Sequence, residues 1–134
     1  MFMLSMGAGM NLGFPDVCLT PAGPAVVPVP YPDIAMTATT APAAYNVLVD
    51  CMPTVNLLSK GLMSNGDEAG VLGGVVSHLI DGQTEYIVGC FTILVDGVPA
   101  QRMTSVTGQN AMGVMPNCPG MCLCPSQVTV LTLG

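Results

Sequence analysis

The sequence predicts an all-β protein with an internally pseudo-symmetric body and little or no helix. Three observations carry this expectation. Pro21, Pro24, Pro28, Pro30 and Pro32 crowd the stretch between Thr20 and Asp33, where a ring-locked φ and an absent N–H rule out a helix interior or a central strand. A strand-Asp-x-x-Pro unit occurs twice, at residues 47–53 and again at 93–99. No segment carries a 3.6-residue apolar period with caps, whereas β-branched and aromatic runs bounded by Gly, Asn-Gly and Asp-Gly recur.

The chain divides into an N-terminal arm (1–14), a proline-rich ribbon (15–35) and a β body (46–134) of one domain. The arm is rich in Met and Gly, and Met fills irregular gaps. It reads either as an arm packed on the body or as a frayed terminus. The ribbon has Val, Ala and Tyr between its prolines rather than Ser, Glu and Lys. It therefore reads as an ordered, polyproline-like or edge segment pressed on an apolar surface. Residues 36–45 read as loop.

Residues 46–53 read as a short strand ending in a turn. The pairs Val47/Ile93, Leu48/Leu94, Val49/Val95, Asp50/Asp96 and Pro53/Pro99 align it with the later copy. Residues 64–70 form a turn cluster around Asn65-Gly66. Asp67 and Glu68 read there as solvated turn acids, because adjacent acids point apart and no basic or His partner is near in sequence. Residues 71–76 and 85–95 are the strongest strand segments, with Asp81-Gly82 as the hairpin turn before the second. Residues 126–133 read as a final strand. Asp50 and Asp96 read as acceptors for turn N–H groups.

Composition narrows function. Hydrophobic residues make up 51% and charged residues 7%, against about a quarter charged in ordinary domains. That shortage implies surface buried against a partner. The alternative is a tight small-residue fold with a Ser/Thr/Asn/Gln surface. Two basic residues, Lys60 and Arg102, at a net charge of −6 do not make a nucleic-acid or anionic-membrane patch. No apolar run reaches the roughly 18–20 residues of a spanning helix. The N-terminus lacks a basic n-region, so the chain reads as starting in the cytoplasm. Its six cysteines then read as reduced or metal-bound rather than as a disulfide framework.

A family resemblance runs along most of the chain. Asn11-Leu12-Gly13-Phe14-Pro15-Asp16-Val17-Cys18-Leu19-Thr20-Pro21, then Pro28-Val29-Pro30-Tyr31-Pro32-Asp33-Ile34-Ala35, resembles the opening of the PAAR-like proteins of the Pro-Ile-Pro-Tyr type. Val29 stands where that signature has Ile. Asn65-Gly66-Asp67-Glu68-Ala69-Gly70 resembles the family's middle turn. Gly97-Val98-Pro99-Ala100-Gln101-Arg102 resembles its Pro-Ala-x-Arg element, followed by Thr104-Ser105-Val106-Thr107 and Asn110. Pro125-Ser126-Gln127-Val128-Thr129-Val130-Leu131 resembles its closing strand.

This resemblance implies a compact, pseudo-threefold β cone or prism of short strands with long ordered loops. It implies a structural, non-enzymatic spike tip that caps the trimeric VgrG needle of a type VI secretion system or a related contractile injection machine, one cap per trimer. The tip would help deliver effectors, a noncovalently carried effector among them. It would be cytoplasmic when loaded and released into the extracellular space or a target cell on firing. No nucleic acid and no stable membrane insertion are expected. Two alternatives remain beside it: a small Cys-rich β metalloprotein, and an adaptor that tethers an effector to the spike.

PAAR-repeat proteins resemble one another in an apical zinc site of several His and one Cys. This chain departs from that pattern, with His78 as its only histidine. Cys118, Cys122 and Cys124 have a C-x3-C-x-C spacing. With His78 they are the candidate ligands of one structural zinc, since thiolates make good structural sites. Cys18 and Cys90 are the alternative fourth ligands. The competing readings are small buried thiols and a disulfide. His78 as a catalytic base has no orienting partner in the spacing, and no catalytic residue is expected.

Overall fold

The computed structural model describes residues 1–111, 113 and 115–133, so Met112, Val114 and Gly134, the last residue of the expected β body, lie outside the described residues. The fold is all-β. Its strands are β1 (Met10–Ala22), β2 (Ala25–Met36), β3 (Thr40–Ala41), β4 (Ala44–Val49), β5 (Met52–Thr54), β6 (Lys60–Gly61), β7 (Gln83–Tyr86), β8 (Cys90–Val95), β9 (Val98–Ala100), β10 (Val106–Ala111) and β11 (Cys118–Cys124). One 3-10 turn, Thr37–Thr39, lies between β2 and β3. A seven-stranded antiparallel sheet runs in the order β2-β1-β11-β10-β7-β6-β3, and β4-β5 and β8-β9 are separate hairpins.

The proline ribbon becomes the β1-β2 hairpin, with β2 at the sheet edge. Pro28, Pro30 and Pro32 alternate with Val29, Tyr31 and Asp33. Strand alternation turns all three missing donors to the same side, so the outer edge of β2 offers no N–H row to another strand. The expectation that the ribbon presses on an apolar surface fails at its far end. Residues 21–28 are exposed, because the hairpin runs out beyond the strands that flank it.

The two sequence copies fold as matching hairpins. In the first, Ala44 pairs with Thr54, Leu48 with Pro53 and Val49 with Met52. In the second, Cys90 pairs with Ala100, Leu94 with Pro99 and Val95 with Val98. The register shifts at the same place in both. Both turns have two successive positive-φ residues, Asp50 and Asp96 at 53° and 56°, then Cys51 and Gly97 at 64° and 76°. These are type I′ geometries, which match strand twist.

A third copy is split between the chain ends. Leu131 pairs with Phe2, as Leu48 pairs with Pro53 and Leu94 with Pro99. The Thr132 N–H donates to the Met1 carbonyl at 2.7 Å, and the Met1 ammonium donates to the Thr132 carbonyl at 3.2 Å. Burial repeats with it. Ala44/Val49, Cys90/Val95 and Gln127/Thr132 are the buried ends of three otherwise outward-facing segments.

Each hairpin leads into one side of a closed ring. The Leu4 N–H donates to the Gln101 carbonyl (2.9 Å), Gln101 N–H to Val55 carbonyl (3.2 Å) and Val55 N–H to Leu4 carbonyl (3.1 Å). A second layer repeats it, from Met6 to Pro53, from Leu57 to Pro99 and from Met103 to Phe2, at 2.8, 2.9 and 2.7 Å. Backbone pairing around an axis is the pseudo-threefold architecture that the resemblance implies. It also settles the arm: residues 3–5 are buried as one side of the ring. Leu4 and Val55 pack in a core with Tyr86 and Cys122.

Three strand expectations need correction. Residues 71–76 form turns rather than a strand, because Gly73 at φ 90° bends the chain. Residues 85–95 are two strands rather than one: β7 ends at Tyr86 and β8 starts at Cys90. Residues 126–133 pair with the N-terminus through a single bridge at Leu131 instead of forming a continuous strand.

Candidate functional site

The densest polar cluster lies where β1, β2 and β11 run side by side. Asp16 sits on β1 just past a register shift between Gly13 and Asp16. Asp33 sits on β2, opposite Gly13. Cys118 opens β11. Gly13 lacks the Cβ that would stand 2.8 Å from the Cys118 sulfur, so the thiol fits against bare backbone. The Gln109 amide of β10, turned to its satisfied orientation, donates to the Asp33 carbonyl and accepts from the Leu12 and Gly13 N–H groups. That joins β2, β1 and β10 under the cluster.

A loop closes the cluster. Cys18 bridges to Gly74, and Val75 N–H donates to the Val17 carbonyl at 2.9 Å. Gly70 packs against the Cys18 side chain, where any Cβ would collide with it. The same loop delivers Asp67, whose Oδ1 accepts from Asp81 N–H at 3.2 Å. This corrects the reading of Asp67 as a solvated turn acid. It is fully buried, whereas Glu68 stays exposed and accepts from Gly66 N–H at 3.0 Å.

The hydrogen bonds run through two asparagines. Asn110 Nδ2 donates to Asp67 Oδ2 (2.8 Å), Asp16 Oδ2 (3.2 Å) and the Leu79 carbonyl (2.8 Å). Its φ of 52° aims the amide inward. Asn117 Nδ2 donates to Asp16 Oδ1 and to the Val17 carbonyl. The Cys18 thiol lies 3.7 Å from Asp16 Oδ1 and 3.6 Å from Asp67 Oδ2.

Asp16, Asp33 and Asp67 are all fully buried. Lys60 is bound to Glu85 at 2.8 Å. Burial pushes Asp33 up to about 7; the nearby Ser64 hydroxyl opposes this, and the Asp67 and Asp16 charges add to it. Ser64 is itself committed to the Gly82 carbonyl at 2.9 Å. Burial also raises Asp67. It raises Cys18, with help from both neighbouring carboxylates, and pushes Cys118 up to about 12. Asp33, Asp67, Cys18 and Cys118 are thus pushed towards their neutral forms.

The four metal candidates read from the sequence are dispersed. Cys118 joins the Asp cluster. Cys122 is buried in the apolar core, while Cys124 and His78 are exposed. All six cysteines are free thiols. Among the described residues, the groups of three that bring potential ligand atoms within 4.8 Å of one another are Asp16-Cys18-Asp67 and Asp16-Asp33-Cys118. Sequence reasoning missed the carboxylates because each sits in a turn-like or Pro-rich context. A signal was nevertheless present: all three lie inside motifs that carry the family resemblance.

A second feature is apolar and symmetric. Leu48, Leu94 and Leu131 occupy equivalent places in the three hairpins and are 60%, 59% and 55% exposed. Tyr45, Phe91 and Val128 do the same at 60%, 67% and 68%.

Residues 9–116 match the family described as Toxin PAAR-like domain. The chain belongs to that family. No curated protein and no solved structure matches it. The His-rich apical zinc site of PAAR-repeat proteins does not fit this PAAR-like chain, whose one histidine is exposed and stands apart from the cysteine-containing groups.

Proposed function

We propose that this PAAR-like chain is a non-enzymatic cap on the trimeric VgrG spike of a type VI secretion system or related contractile injection machine, where it helps deliver effectors. It would load in the cytoplasm and leave the cell on firing. The observation that carries this reading is the threefold set of exposed apolar side chains, Tyr45/Leu48, Phe91/Leu94 and Val128/Leu131, on a single chain. One asymmetric sequence thereby offers three like surfaces to three identical partners. A trimeric β spike ends in strand edges that need covering.

Magnitudes favour a three-point contact over a one-point contact. A fully buried large apolar side chain contributes about 1.5–3 kcal/mol, and association costs on the order of 4–15 kcal/mol in lost freedom. Two side chains from one hairpin supply about 3–6 kcal/mol, near the low end of that cost, whereas six supply about 9–18, which spans most of it. The test is co-elution of the purified chain with a VgrG trimer from the same source. A variant carrying Leu48→Asp, Leu94→Asp and Leu131→Asp is expected to keep its β spectrum and lose co-elution. Retained binding by that variant would contradict the reading.

A further inference from the structure

Asp33 is left over by the hydrogen-bond network. It is fully buried, and neither of its carboxylate oxygens has a hydrogen-bond partner. The Asp16-Cys18-Asp67 half of the cluster already holds the Asn110 amide between its two carboxylates. In the Asp16-Asp33-Cys118 half, Asn110 and Asn117 donate to Asp16 but no donor reaches Asp33. One oxygen of each carboxylate and the Cys118 sulfur lie within 4.8 Å of one another.

We propose that Asp16, Asp33 and Cys118 bind a thiophilic divalent cation, zinc being the ion this donor set favours. Thiolate and carboxylate are each zinc ligands, and the thiolate disfavours Mg2+ and Ca2+, which take oxygen alone. Ligand atoms on one tetrahedral zinc sit roughly 3.3–3.7 Å apart, inside the 4.8 Å limit that groups these three. Asp16 retains acceptor capacity: Oδ1 faces Asn117 and Cys18, and Oδ2 faces Asn110 alone. Binding releases the Cys118 proton, and that of Asp33 where it is held, to solvent. The cation offsets the charge of the buried carboxylates. It also ties the neighbouring strands β2, β1 and β11 together through one residue from each. The rival arrangement, a protonated Asp33 with no metal, neutralises the charge but leaves both oxygens without a partner.

The test uses the full chain, stripped with chelator and titrated with cobalt(II), whose thiolate charge-transfer absorption reports sulfur ligation. The expected result is a thiolate band saturating at about one cobalt per chain, displaced by zinc, with a rise in thermal midpoint on loading. Cys118→Ser abolishes the band, and Asp33→Asn weakens binding by about tenfold or more. Cys124→Ser and His78→Ala leave both unchanged. Absence of the band after refolding in excess cobalt overturns the proposal, as does a band that survives Cys118→Ser. Where Cys118→Ser does not fold, the near-isosteric Asp33→Asn decides, and an unchanged affinity overturns the proposal.

Discussion

Leu48 and Leu94 stand at the same place on two hairpins, each directly across from a proline, Pro53 and Pro99. Leu131 completes the set across from Phe2. Because all three are exposed, they contribute little to the fold of the free chain, and their effect falls on binding. A single Leu94→Asp is expected to weaken VgrG binding by about tenfold to a hundredfold, at about 1.5–3 kcal/mol per lost side chain, while the thermal midpoint moves little. Leu48→Asp should do the same, and the pair should lower affinity further. Titration calorimetry against the trimer, paired with thermal melts, separates the two effects.

Gln101 occupies the ring position held by Leu4 and Val55. Its backbone closes the ring, but both polar atoms of its buried side chain have no partner. An unsatisfied buried amide costs about 1–3 kcal/mol. Gln101→Met keeps the length of the side chain and removes the polar atoms, so stability is expected to rise by a similar amount. Urea unfolding measures it, and a lower midpoint would show that the amide has a role in folding.

Cys51 sits at φ 64° in a turn whose counterpart residue is Gly97 at 76°. A side chain in that region costs about 1–2 kcal/mol, and glycine's extra unfolded freedom returns about 0.5–1 of it. Cys51→Gly is therefore expected to stabilise by up to about 1.5 kcal/mol. The same unfolding curves check it, with Asp50→Gly as a comparison at the preceding turn residue.

The core predicts a loss of stability in alkali. Burial pushes Tyr86 and Cys122 each up to about 12, from 10.0 and 9.0. The unfolded chain therefore loses these protons first. Their contribution is complete below pH 9 and falls as pH rises from 9 towards 12. Tyr86 alone accounts for about 2–3 kcal/mol of that fall. Thermal midpoints measured across this range should drop, and Tyr86→Phe and Cys122→Ala should each flatten the slope.

Legibility differed among the elements for physical reasons. The hairpins at residues 47–53 and 93–99 were legible because strand, turn and proline repeat in both. The third copy was hidden because its halves lie at opposite ends of the chain, with Phe2 in the proline position. Residues 71–76 look like a strand by composition, yet the glycines at 70, 73 and 74 set the backbone as turns against Cys18 and Asn117. The prolines left a polyproline-like ribbon and an edge segment both open; β2 with Pro28, Pro30 and Pro32 is the edge strand, whereas β1 with Pro15 and Pro21 lies one strand in. The buried carboxylates were not legible, because Asp beside Gly or Pro reads as turn chemistry whether or not the fold later covers it. Cys118 was legible as a candidate ligand, but its neighbours come from β1 and β2, more than eighty residues earlier in the chain.

The most direct test of the cap assignment is the native mass of the complex after co-expression with VgrG. A species of one chain per three VgrG chains, formed by the wild type and lost on charging the three leucines, is the predicted result. A chain that remains unbound with every spike protein of its source, or that binds as three copies per trimer, would contradict it.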